Sequence, residues 1–331
     1  MRLPPPRGRR SLFNDPRLNV PVRNTISVAL IRCIAVCAQQ RDLAALNSHL
    51  KGTLSELLAS CTIHWGDGSG LHVVRALADR EQMVQNFNPE MRGAWTRFAA
   101  LAKERADFAN SFDSDGILNM KACDNTLCTK LGSRKEFKRC SGCVTLFYCS
   151  IQCQAVDWHS GHRAACKTHD YQLSGRVPIN TPRQRAFMRA ILHSNYTKLK
   201  LEIFSEAVEC MRQSRNPLAG FFVVFDYSQG GPEFGVYSLA ETSDSLKWLS
   251  SAGLQWDETV ARAARSQGRM VIHVIRVREA NTSRHWVVPL RSDSGKIHAQ
   301  LVKMACAEEG GNEMQGFEAL VARSNEVTEV H

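Results

Sequence analysis

The segment from Cys123 to Cys166 carries four short pairs: CDNTLC at 123–128, CSGC at 140–143, CSIQC at 149–153 and HRAAC at 162–166. Seven of the twelve cysteines fall inside it, whereas Cys33, Cys37, Cys61, Cys210 and Cys306 are scattered. Cys123 pairs with Cys128, Cys140 with Cys143, Cys149 with Cys153 and His162 with Cys166, each at a spacing used by paired zinc ligands. Eight ligands make two tetrahedral sites with no position left for water. Closed four-coordinate zinc is structural, because a catalytic zinc keeps one position open. The metal answers a physical need: a module this short buries too little apolar surface to offset its chain entropy. Leu146, Phe147, Tyr148, Ile151, Val156 and Trp158 offer only a minimal core. Zinc then supplies the folding free energy, on the order of 10–16 kcal/mol per site in peptides. His159 breaks the HxxxC spacing and His169 lies beyond the last ligand, so both read as solvated surface residues.

Working outward, 331 residues of which 44% are hydrophobic suffice for two or three domains. No apolar run reaches the roughly 18 residues that span a bilayer, so no membrane partner is expected. Residues 1–24, with Pro4, Pro5, Pro6, Arg7, Arg9 and Arg10, lack an apolar signal core and read as a disordered leader. Many cysteines without an export signal point to metal or free thiols rather than disulfides, hence to an intracellular protein, nuclear or cytoplasmic. The formal charge is +10, and loading two Zn²⁺ on seven thiolates lowers it to about +7. The remainder is dispersed, which permits nucleic acid without arguing for it. Arg134, Lys135, Lys138 and Arg139 form a basic stretch in the finger's long loop, read as a solvated loop face.

The flanks divide by periodicity. Residues 25–112 read as a helical region: Val28, Leu30, Ile31, Ile34 and Val36 share a face, Leu43 to Leu58 recur at helical spacing, and Asn88-Pro89 starts a helix continued by Trp95, Phe98 and Leu101. Asp113 to Gly116 reads as a turn before the finger at 120–168. An α+β domain is expected over 178–306. It opens with a helix capped by Thr181 and running through Phe187, Ile191, Leu199, Ile203 and Val208. The apolar run Phe221 to Tyr227 predicts a buried strand, with Phe234 to Leu239 returning beyond a turn at 229–232. A helix over Asp257 to Ser266 and strands at Met270 to Val277 and Trp286 to Leu290 follow. Residues 307–331 read as a polar tail with a short helix around Phe317 to Ala322. The fold class is therefore α+β and multidomain: a helical N-terminal region, a small two-zinc finger and a C-terminal α+β domain.

The cysteine segment resembles a MYND-type zinc finger. The family pattern is a cysteine pair, a CxxC, an aromatic before CxxxC, and a Trp shortly before HxxxC. Here Tyr148 precedes Cys149 and Trp158 precedes His162. The resemblance implies interleaved ligands, with Cys123, Cys128, Cys149 and Cys153 on one zinc and Cys140, Cys143, His162 and Cys166 on the other. The first pair is CxxxxC rather than CxxC, and three residues rather than two separate Trp158 from His162; such variants resemble fungal members. The resemblance also implies a protein-interaction module that receives proline-rich peptides, whose extended form is already restricted. The matching peptide-binding positions are Ser141, Gln154 and Trp158.

An enzyme is not expected. Some MYND fingers are inserted in SET-domain lysine methyltransferases that use S-adenosylmethionine, but neither their Asn-His-Ser-Cys element nor their Gly-rich cofactor stretch is present. No GxSxG, phosphate loop or HExxH occurs. His273 reads as a core or edge histidine, His193 has no visible partner, and nothing in sequence pairs with Asp226. A transcription regulator touching DNA through the basic stretch is the third reading.

Overall fold

The structure is a computed structural model; it describes residues 84–85, 87, 89–112, 120–143, 145–166, 182–228, 232–240, 256–279, 282–307 and 313–331. The leader, the helices expected before residue 84, the turns at 113–116 and 229–231, Thr181 and His169 lie outside the described residues.

A five-stranded sheet organises the molecule. Its strands are β5 (Phe221–Asp226), β6 (Glu233–Ser238), β7 (Met270–Glu279), β8 (Thr282–Ser292) and β9 (Glu329–Val330). They lie in the order β6-β5-β7-β8-β9, parallel only between β5 and β7. Successive side chains of a strand point to opposite faces. Phe221, Val223 and Phe225 enter one core and Phe222 and Val224 another. That two-sided burial is why the strand reads as an unbroken apolar run.

The larger core lies between the sheet and four helices: α1 (Pro89–Phe112), α3 (Pro182–Gln213), α5 (Lys296–Ala305) and α6 (Glu313–Glu326). The smaller core is closed by Trp256, Val260 and Ala263 of α4 (Trp256–Arg265), with Phe222 edge-on to Trp256.

Two expectations about layout change. Helix α1 falls in the stretch expected to form a separate N-terminal region, yet Trp95, Phe98, Leu101 and Ala102 share one core with Phe187, Ile191 and Ile203 of α3. Residues 307–331 are expected to be a polar tail, yet α6 packs on α5, Leu320 and Val327 are buried, and β9 extends the sheet through Arg291↔Val330. Their apolar residues are too sparse to mark a core segment locally; the groove that receives them is made elsewhere in the chain.

The lone polar residues also find distant partners. His193 Nδ1 lies 3.0 Å from His331 Nδ1, and His331 Nε2 lies 2.8 Å from His273 Nδ1. Burial holds all three imidazoles below their usual range, His273 down to about 3. Asp226 pairs with Arg276 at 3.3 Å and accepts the Ser228 amide N–H.

Candidate metal centre

The finger is built from two short hairpins, β1 (Met120–Ala122) with β2 (Leu131–Ser133) and β3 (Lys138–Arg139) with β4 (Phe147–Tyr148), followed by α2 (Ile151–Asp157). Cys123 follows β1, and its amide N–H donates to the Lys130 carbonyl at 3.0 Å. Asn125 shapes the return: its carbonyl accepts from Cys128 and its side-chain oxygen from Leu127, which brings Cys128 back beside Cys123. Cys149 leaves β4, and Cys153 stands in the first turn of α2, where its amide N–H donates to the N-cap hydroxyl of Ser150 at 3.1 Å. The Cys140–Cys143 turn is closed by Cys140 N–H to the Leu146 carbonyl, and Gly142 is required there: a Cβ would sit 2.7 Å from Cys166 Sγ. Beyond α2 a wide turn, Trp158–His162, brings His162 and Cys166 onto the same side.

These elements gather the ligands into two cages, Cys123-Cys128-Cys149-Cys153 and Cys140-Cys143-His162-Cys166. The interleaving implied by the family pattern is therefore present. Two ions held at about 2.3 Å by sulfur in tetrahedral geometry require S···S edges of about 3.8 Å. The observed edges are 3.7 Å for Cys128–Cys149, 3.5 Å for Cys149–Cys153 and 3.7 Å for Cys140–Cys166. His162 Nε2 lies 3.3 Å from Cys140 Sγ and 3.7 Å from Cys143 Sγ. These separations are far beyond the roughly 2.05 Å of a disulfide. The donor sets fit two zinc ions. The sulfurs are held unevenly: against burial, hydrogen bonding with His162 brings Cys143 down to about 6, whereas burial, then the neighbouring Cys140, pushes Cys166 up to about 12. A divalent cation reverses that balance and holds the thiols as thiolates.

The imidazole of His162 stands beside Tyr148 and edge-on to Trp158, whose ring centroid is 5.6 Å away. Trp158 is thus half-buried against a zinc ligand as well as half-exposed. Gln154 is half-buried on α2 and Ser141 is exposed in the knuckle. His159 is exposed, as expected.

What the spacing did not reveal is how the finger is fastened. Asp157, the last residue of α2, is buried and receives Arg262 of α4: Arg262 Nη1 donates to both carboxylate oxygens, at 3.0 and 3.1 Å. Tyr148 Oη donates to Asp157 Oδ2 at 2.6 Å, and Arg262 Nη2 donates to the Asp124 carbonyl. Burial and Asp157 hold the Tyr148 phenol well above its usual range. Arg269 Nη2 donates to the Thr126 carbonyl at 3.3 Å. Gly161, at φ +139°, lets the wide turn approach α4; a Cβ there would be strained and 3.2 Å from the Glu258 carboxylate. Arg262 lies 105 residues from Asp157, and a lone Arg on an amphipathic helix carries no local mark of such a role.

Residues 123–166 match the family described as MYND finger. The segment is a MYND-type zinc finger with two metal sites, a protein-interaction module. A region of 71 residues is 37% identical to ubiquitin carboxyl-terminal hydrolase 19 of Arabidopsis thaliana, covering 22% of this chain and 10% of that one. Two F-box proteins of Arabidopsis thaliana are 34% identical over 61 residues, 18% of each chain, and 42% identical over 48 residues, 14% of this chain and 13% of the relative. The chain thus spans between a tenth and a fifth of the curated relatives it matches. No solved structure is a significant match. Among the described residues, no helix is long and apolar enough to cross a membrane.

Proposed function

We propose that this chain is a non-enzymatic interaction protein whose finger receives proline-rich segments of partner proteins. The observation that carries this reading is the outward side of the finger. Ile151 is 74% exposed and Val156 44% exposed on α2, with Gln152 and Ala155 exposed between them. Trp158 follows at the end of the helix with part of its ring accessible, Gln154 lies on the same helix, and Ser141 is exposed in the knuckle. An indole face packs well on proline rings, and Gln154 and Ser141 supply polar groups for the backbone of an extended peptide that lacks internal hydrogen bonds. The eight ligands fill both cages, which supports a structural role for the metal. Thiolates held for zinc suit a reducing intracellular compartment.

The test is the affinity of a labelled proline-rich peptide for the zinc-loaded chain and for Trp158→Ala, with zinc measured on both. Because Trp158 also packs on His162, only a variant retaining two zinc ions is informative. The expected result is at least about tenfold weaker binding. Equal affinity with zinc retained refutes the proposal.

A further inference from the structure

Where the finger meets α3, basic side chains converge on one aromatic ring. Lys121 Nζ lies 5.6 Å, Arg134 Cζ 5.6 Å and Arg139 Cζ 5.3 Å from the centroid of Phe147. Arg185 and Arg189, one turn apart on α3, lie within electrostatic reach of this group: Arg139 acts on Arg185, and Arg189 acts on Lys121. Arg134 and Arg139 are exposed at the rim, whereas Arg185 and Arg189 are half-buried at the base. Among the described residues, no carboxylate forms an ion pair with Arg134, Arg139 or Arg189. Asp124 acts on Arg189, but its Oδ2 already accepts the Phe147 amide N–H at 2.6 Å. The molecule therefore holds like charges together, partly out of water, where each raises the cost of the next.

We propose that Lys121, Arg134 and Arg139 around Phe147, with Arg185 and Arg189 of α3 alongside, form a binding site for a phosphomonoester on a protein partner. The shape selects the ligand. A guanidinium is permanently charged and presents a planar fork that matches phosphate oxygens two at a time. Three of the charges stand about one ring rather than along a stripe, so they suit one dianionic group better than a chain of singly charged phosphodiesters. Cations already stand about the Phe147 ring, so the site recognises charge rather than a stacked base. The inference rests on the reading of the chain as a protein-interaction protein and adds a second, charge-reading contact beside the proline-binding face.

The experiment titrates the full-length, zinc-loaded chain with an Ala-Gly-phosphoserine-Gly-Ala peptide, followed by ¹H–¹⁵N NMR. The unphosphorylated peptide, inorganic phosphate and a twelve-nucleotide oligothymidylate are the comparison arms. The phosphopeptide is expected to bind at least about tenfold more tightly than each of the other three and to shift amides of 134–139 and 185–189. Arg139→Gln combined with Arg189→Gln is expected to weaken phosphopeptide binding about tenfold or more while leaving zinc content and proline-rich peptide affinity unchanged. Should that double variant fail to fold, Arg134→Gln at the exposed rim replaces it, with a loss of about threefold or more. Equal binding of the serine and phosphoserine peptides, unchanged affinity in the variants, inorganic phosphate binding as tightly as the phosphopeptide, or tighter binding of the oligonucleotide each overturns the proposal. Loss of proline-rich binding in Trp158→Ala with phosphopeptide binding intact leaves it standing, so the two readings fail separately.

Discussion

Removing the Arg262 side chain should detach the finger from α4 at a large cost in stability. The side chains of Arg262 and Asp157 are 6% and 2% exposed, so solvent does not screen the pair. In Arg262→Met the carboxylate keeps the Tyr148 hydroxyl but loses both guanidinium contacts, at 3.0 and 3.1 Å, and the Asp124 carbonyl loses a donor. Leaving a buried charge without its partner costs about 3–5 kcal/mol. In Asp157→Asn the amide oxygen still accepts from Tyr148, and Arg262 is the stranded charge. The double variant buries no unpaired charge at this position, so it should be less destabilised than the sum of the two singles by about 1.5–3 kcal/mol. The assay is urea unfolding followed by circular dichroism for all four proteins, each with zinc quantified, together with limited proteolysis of the finger. A single variant within about 0.5 kcal/mol of the parent, or strict additivity in the cycle, refutes the reasoning.

Three further outcomes are expected. Exhaustive chelation should unfold residues 123–166, since metal supplies on the order of 10–16 kcal/mol per structural site; finger circular dichroism and protease resistance that survive metal removal would contradict the account. Gly161→Ala should lower stability by about 1–3 kcal/mol, because φ +139° is strained for alanine and the new methyl meets Glu258; calorimetry on the zinc-loaded variant checks it. Stability should also fall with acid. His193, His273 and His331 are held below their unfolded value of about 6.5, so the folded state binds fewer protons than the unfolded one. Their contribution is complete above about pH 6.5 and declines toward the His273 value of about 3, by up to about 1.4 kcal/mol per pH unit for each imidazole kept neutral. Urea midpoints between pH 7 and 5.5 at constant zinc content test this, and a flat profile would contradict it.

The metal site was legible because its determinants are local. A chelating pair needs only a few residues between ligands, so Cys140-Cys143 and His162-Cys166 declare themselves without any knowledge of the chain path. The strand at Phe221–Asp226 was legible for a similar reason, since an apolar run between turn signals has few other fates. The edge strand Glu329–Val330 was not, because two residues carry no periodicity and their pairing depends on where Arg291 happens to lie.

From sequence alone come the eight ligands, the two-zinc stoichiometry and the α+β character of the region after the finger, all properties of residues close together in the chain. Only the tertiary structure decides that α1 and α6 share the sheet's core and that Arg262 clasps Asp157. Those contacts join segments tens to more than a hundred residues apart. Their energies are set by burial and geometry that exist only once the chain has folded.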